Sequence, residues 1–234
     1  MSSWQEVWFW FQYVLLYSPL FWWIVLLFVA TVLYPRLQRW ARTSHAKSRF
    51  IESQGAKLEN PANADVRFQL AHIYAEGRRW RRVVEYAGEA VRIARENPLF
   101  EGGVPYHFLR LLGEGLYHRR RYGEAVDVFE EAVKAKSHSG HADAWLGLGK
   151  ARYRRGEAGK ALEAFRSSLQ ENGSILETYF RAAQAAASLG KDAEVASLRA
   201  EFRRVAASLP RFARQGRLRF RLAFLLFPLA RLLG

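Results

Sequence analysis

The chain has 234 residues, half of them apolar, and is rich in Ala, Leu, Arg and Glu, which are good helix formers. It has no cysteine, which excludes a disulfide framework, thiolate metal ligation and a cysteine nucleophile. The formal net charge of +14 sits in two flanks: −1 over residues 1–34, +5 over 35–57, +4 over 58–209 and +6 over 210–234. Basic residues abutting apolar segments point to anionic lipid headgroups. A nucleic-acid binder would spread its charge over a folded face.

No charged residue falls between Glu6 and Arg36. The apolar stretch 13–34 is 22 residues long, and at about 1.5 Å per residue it spans roughly 33 Å, close to a hydrocarbon core of about 30 Å. It is expected to form one transmembrane helix, kinked at Pro19. Aromatics at Trp8 and Trp10 suit the headgroup level before it, and Trp22, Trp23 and Phe28 lie within it. A cleaved signal peptide would have a basic start and a small-residue cleavage site, and the sequence has neither. The expectation is a retained anchor. Arg36, Arg39, Arg42, Lys47 and Arg49 follow the helix and none precedes it. The positive-inside rule then puts the N-terminus outside the inner (cytoplasmic) membrane and the rest in the cytoplasm, with residues 35–63 as a basic juxtamembrane linker or helix.

From residue 64 to 209 the chain reads as paired helices. Trp145, Leu148 and Gly149 are followed by Tyr153, Gly156, Ala161 and Phe165. Leu109, Leu112 and Gly113 are followed by Tyr122, Ala125 and Phe129. This resembles the tetratricopeptide repeat (TPR) pattern, in which a tryptophan, leucine and glycine head the first helix and alanine and phenylalanine follow in the second. One period of 34 residues on from Trp145 lies Tyr179, ahead of Ala182, Ala183, Gly190 and Phe202. Further back, Leu70, Ala71 and Tyr74 precede Trp80, Val83, Ala87 and Ala90. Four units are expected, beginning near Ala64, Tyr106, Ala142 and Leu176, with an inserted loop at 98–105 and a lengthened turn at 137–141. Gly113, Ala125, Gly149 and Ala161 would let helices approach closely. Leu112, Phe129, Trp145 and Phe165 would fill the space between them, because one helical pair cannot bury its own face but a stack can. The last helix has Val195, Leu198, Phe202, Val205 and Leu209 on one stripe, suits a polar-backed cap, and is expected to start on an Asp192 N-cap.

Residues 210–234 combine Arg211, Arg214, Arg217 and Arg221 at helical spacing with an apolar run too short to span a bilayer. An interfacial helix is expected, with Arg217 meeting lipid phosphate and Phe220, Phe224 and Phe227 at the acyl boundary; the alternative is a last helix packed on the repeats or on a partner. The whole is predicted to be all-α: an N-terminal transmembrane helix, a TPR-type solenoid and a basic, apolar C-terminal helix.

Catalytic readings find no support. Gly147-Leu148-Gly149-Lys150 lacks the first glycine and the Ser/Thr of a phosphate loop, and the repeat register explains both glycines. His138 and His141 have only Asp143 near them as a further metal ligand. No nucleophile elbow occurs. The chain is expected to be no enzyme and to need no cofactor, metal, nucleic acid or small-molecule substrate.

The resemblance implies protein partners, bound in a groove lined by the first helices. The corresponding positions are Phe68, His72, Arg110, Glu114, Tyr117, Lys150, Tyr153, Arg154, Phe180 and Gln184. Some TPR domains grip a C-terminal carboxylate with Lys and Asn; Phe68 and His72 stand there instead, so that clamp is not expected. The cations and tyrosines would suit an acidic, partly aromatic segment. The expected role is a scaffold or accessory subunit that positions partners, an integral membrane protein among them, at a membrane complex. Self-assembly into a peripheral membrane organiser is the first alternative, and a basic nucleic-acid-binding protein the second and weaker one.

Overall fold

The computed structural model describes residues 4, 8–10, 18–59, 63–100, 103–135 and 141–209. The expectations for 136–140 and for 210–234, with Arg217, Phe220, Phe224 and Phe227, lie outside these residues. Every regular element among the described residues is helical, as the composition implied.

From Pro19 the chain forms one long helix. It passes through α1 (Pro19–Phe28) and a π-helical turn (Val29–Leu33), and continues as α2 (Tyr34–Glu59). Pro19 therefore opens a helix instead of kinking one. Ser18 before it is extended, at φ −75° and ψ 123°, because the proline ring disfavours helical backbone in the preceding residue, and proline's missing N–H costs nothing in a first turn. Inside the π turn the Thr31 hydroxyl donates to the Leu27 carbonyl at 2.6 Å. Trp22, Trp23, Ile24, Leu26, Leu27 and Phe28 are all exposed.

Four helical pairs follow: α3 (Ala64–Glu76) with α4 (Trp80–Glu96), α5 (Tyr106–His118) with α6 (Tyr122–Lys134), α7 (Ala142–Arg154) with α8 (Ala158–Glu171), and α9 (Leu176–Ser188) with α10 (Asp192–Ser208). Asn63 caps α3 by accepting from the Val66 N–H at 3.2 Å. Each first helix closes in the same way. In the first pair the Arg79 N–H donates to the Tyr74 carbonyl and the Arg78 N–H to that of Ala75. The same pairing recurs at Arg121 and Arg120, Glu157 and Gly156, and Lys191 and Gly190. This cap needs a left-handed residue, and φ is +56° at Arg78, +61° at Arg120, +82° at Gly156 and +71° at Gly190. Lys191 occupies the N-cap position of α10 and Asp192 its first turn. The expected Asp192 cap is thus displaced by one residue, because the preceding turn is fixed by Gly190.

Two apolar clusters meet along α7. One joins α3 to α6 with Ala144, Leu148 and Ala151; the other joins Leu146 to α8, α9 and α10. Phe129 packs where a Cβ on Gly113 would lie 2.8 Å away, and Phe165 where one on Gly149 would lie 2.5 Å away. The small-against-large logic of the repeat therefore holds at these positions. Trp145 is different. It is only half-buried and its indole N–H donates to Glu171 at 3.1 Å, so it ties α7 to α8 at their open end. The 98–105 insertion folds onto the array: Phe100 packs on the first cluster and Val104 is buried. Ser168, fully buried, donates to the Ala142 carbonyl at 2.8 Å and stands 3.4 Å from the Thr178 hydroxyl, which links the third pair to the fourth. On α10, Leu198 and Phe202 are buried and Arg203 and Arg204 exposed, as expected of a capping helix.

Candidate partner-binding groove

First helices touch the first helices of the next pair: α3 touches α5, α5 touches α7 and α7 touches α9. They form one layer of the stack, and clefts open on it between neighbouring first helices. Counting from each helix start, Phe68, Arg110, Leu146 and Phe180 are equivalent, as are His72, Glu114, Lys150 and Gln184.

Seven of the ten expected positions meet in two adjoining clefts. Arg110, Glu114, Tyr117 and Lys150 line the first, of about 200 Å³, together with His118, Phe129, Asp143, Leu146 and Gly147. Tyr117 and Lys150 also line the second, of about 130 Å³, with Tyr153, Arg154, Gln184, Arg181 and Phe165. Phe68, His72 and Phe180 lie elsewhere. Phe68 stacks on Phe108 at 4.8 Å and meets His107 edge-on, with His72 6.4 Å away. Phe180 packs on the second cluster beneath the Arg181 guanidinium.

The charges are interlocked. Lys150 lies 3.2 Å from Glu177 and 5.5 Å above the Tyr117 ring. Arg181 lies 3.3 Å from the same carboxylate and donates to the Gln184 side-chain oxygen at 3.1 Å. Burial works to raise the Glu177 pKa, but Lys150 and Arg181 outweigh it and hold the carboxyl below the usual range. Arg110 is 3.6 Å from Glu114, and the Arg154 side chain hydrogen-bonds that of Tyr117. One carboxylate thus serves two cations, leaving positive charge beside the aromatic faces of Tyr117 and Tyr153. At the rim His118 stacks on Trp80 with centroids 4.0 Å apart and planes at 11°. Burial there lowers the imidazole pKa, helped by Lys150 and Arg78.

Glu177 and Arg181 escaped sequence reasoning, although the register carried a signal for Glu177, which repeats the position of Asp143. The clefts are smaller than the roughly 300–1,000 Å³ of drug-sized sites and fit single side chains of an extended segment. Among the described residues no cluster of three or more His, Asp or Glu could hold a metal ion; His138 lies outside them.

Residues 110–174 match the family model described as tetratricopeptide repeat, and the paired helices on either side are hairpins of the same kind. Solved structures extend the likeness to the outer pairs. BtubC from P. vanneervenii superposes with a TM-score of 0.64 at 18% identity, covering 73% of this chain and 76% of that one. MamA residues 41-end from Desulfovibrio magneticus RS-1 gives 0.57 at 16%, covering 74% and 96%. YrrB, described as a TPR protein with an unusual peptide-binding site, gives 0.52 at 19%, covering 65% and 72%. At these identities the likeness is one of fold. Curated proteins gave no match.

Proposed function

We propose that this chain is a non-catalytic adaptor held in a membrane, whose first-helix groove holds an extended segment of a partner protein. The array itself is an interaction fold. The observation that carries the partner reading is the pair of adjoining clefts at Tyr117 and Lys150, where aromatic faces and an excess of cations over carboxylates meet. Because Glu114 and Glu177 already answer Arg110 and Lys150, the partner segment is one that offers an aromatic side chain beside a single carboxylate. YrrB's peptide-binding site is a parallel on the same fold.

What supports the membrane part is the exposed apolar helix. The stretch Phe21–Phe50 is long and apolar enough to cross a bilayer, with a window of mean hydropathy 1.5 and no part of that window buried. The core helix of a water-soluble domain would hide such a surface. In this reading residues 1–34 hold the anchor and 35–63 join it to the array at 64–209. Residues 210–234 rest on anionic lipid. The array lies on the cytoplasmic side of the inner membrane, beside an integral membrane partner.

The test is site-specific photo-cross-linking from position 117 in native membranes, with extraction by alkaline carbonate in parallel. The reading expects a discrete adduct to one recurring protein, lost in a Lys150→Glu variant, from a chain that stays in the carbonate pellet. A chain released by carbonate would end the membrane part, and an absence of adducts would end the groove part.

A further inference from the structure

The four turns that join first to second helices lie along one edge of the array. Over the stretches 76–82, 118–124, 154–160 and 188–194 the net charges are +3, +2, +2 and −1. The equal stretches leading into the first helices, 59–65, 101–107, 137–143 and 171–177, carry −2, −1, −1 and −2. The array is therefore polarised along its helices, and the basic end strengthens toward the first pair. Arg78, Arg79, Arg81, Arg119 and Arg120 on this edge are exposed, and no ion pair among the described residues includes any of them. Arg78 and Arg120 also occupy the left-handed position that Gly156 and Gly190 fill in the later pairs. Arginine there is conformationally costly, and such strain persists where a position serves something other than stability.

The long helix shows what this edge faces. α2 runs antiparallel to α3, since only residues 60–63 separate Glu59 from Ala64. Lys47 lies 5.9 Å from the Tyr74 ring, and Arg42, His45 and Arg49 line one open cleft with Glu76 at the end of α3. The helix then continues past the basic edge toward its apolar part. From His45 to Tyr34 is 11 residues, about 17 Å at 1.5 Å per residue. Subtracting an interfacial layer of roughly 5–8 Å leaves about 10 Å, one Debye length at 0.1 M salt.

We propose that the edge formed by these turns is a docking surface for anionic lipid headgroups, which stands the array upright on the bilayer with its groove opening sideways along the membrane. This rests on the membrane anchor proposed above. Nucleic acid is the other polyanion the edge could meet, but the charge is concentrated beside the apolar helix and fades with distance from it, which matches a flat surface around that helix.

The native chain lacks cysteine, so single-cysteine labels report cleanly. Gly123→Cys on the basic edge has open space around its Cβ, and Gln170→Cys lies at the far end of α8 and is exposed. The full chain, labelled with a donor at either site, is reconstituted in vesicles of phosphatidylcholine alone or with 30% phosphatidylglycerol, with acceptor dye on the lipid. The expected result is transfer from position 123 that rises at least two-fold with anionic lipid and exceeds that from 170. The rise should vanish in Arg78→Gly/Arg79→Gln/Arg81→Gln/Arg119→Gln/Arg120→Gly, whose glycines suit the left-handed turns and keep the fold. A chain that floats with both vesicle types but shows equal transfer in both overturns the docking surface and leaves the anchor standing. A chain that floats with neither overturns both. Retention of RNA on chain held in the neutral vesicles, lost in the variant and without any response to anionic lipid, assigns the edge to nucleic acid and overturns the proposal.

Discussion

Gly149 and Gly159 make opposite demands, although both lie in helices of the same pair. A Cβ on Gly149 would stand 2.5 Å from the buried Phe165 ring, whereas one on Gly159 would meet nothing within 4 Å. Replacing glycine by alanine in a helix gains up to about 1 kcal/mol, but overpacking a filled core costs about 1–3 kcal/mol. Gly149→Ala is therefore expected to lower the unfolding free energy by about 1–2 kcal/mol, while Gly159→Ala leaves it unchanged or raises it. Urea denaturation of the two variants side by side checks this, and equal effects would contradict the packing described here. Arg120→Gly should raise stability by about 1 kcal/mol, because a left-handed non-glycine residue costs about that much. Two glycines of the sequence were legible as packing residues from the repeat alone. The left-handed arginines were not, since nothing in the residue type announces φ.

At the scale of elements, the starts of the first helices could be read because the apolar period and the small residues recur. What could not be read were interactions between elements that depend on where side chains end. Trp145 fits the repeat pattern, yet its indole reaches Glu171 on the next helix. Glu177 and Arg181 enter the groove because α9 packs against α7, a contact that no local pattern encodes. Ser168 reads as an ordinary polar helix residue but is buried and joined to Ala142 and Thr178. Ser168→Ala should cost about 1 kcal/mol, the usual net value of such a hydrogen bond, visible as a lowered urea midpoint. The stack of His118 on Trp80 joins α5 to α4. Its folded pKa lies below the ordinary 6.5, so the unfolded chain takes up the proton first. Stability from this site is complete above about pH 6.5 and is lost as pH falls through the lower folded value. His118→Tyr, which keeps a ring and removes the titration, should flatten part of that loss below about pH 6.5 when the urea midpoint is followed against pH.

For the whole molecule, the all-helical architecture and the helical array were legible in the sequence, because periodicity and composition agree along most of its length. The direction of the long helix relative to the array was not. It depends on α2 folding back along α3, which sends the apolar part out past the basic turns. The central claim is that the groove around Tyr117 and Lys150 receives a partner protein at a membrane. Photo-cross-linking from position 117 in native membranes, compared with the same probe at exposed position 203 on the capping helix, tests it most directly. The account expects a single recurring adduct from 117 that disappears with Lys150→Glu, and none from 203. Identical adduct patterns from both positions, or none from 117, would contradict it.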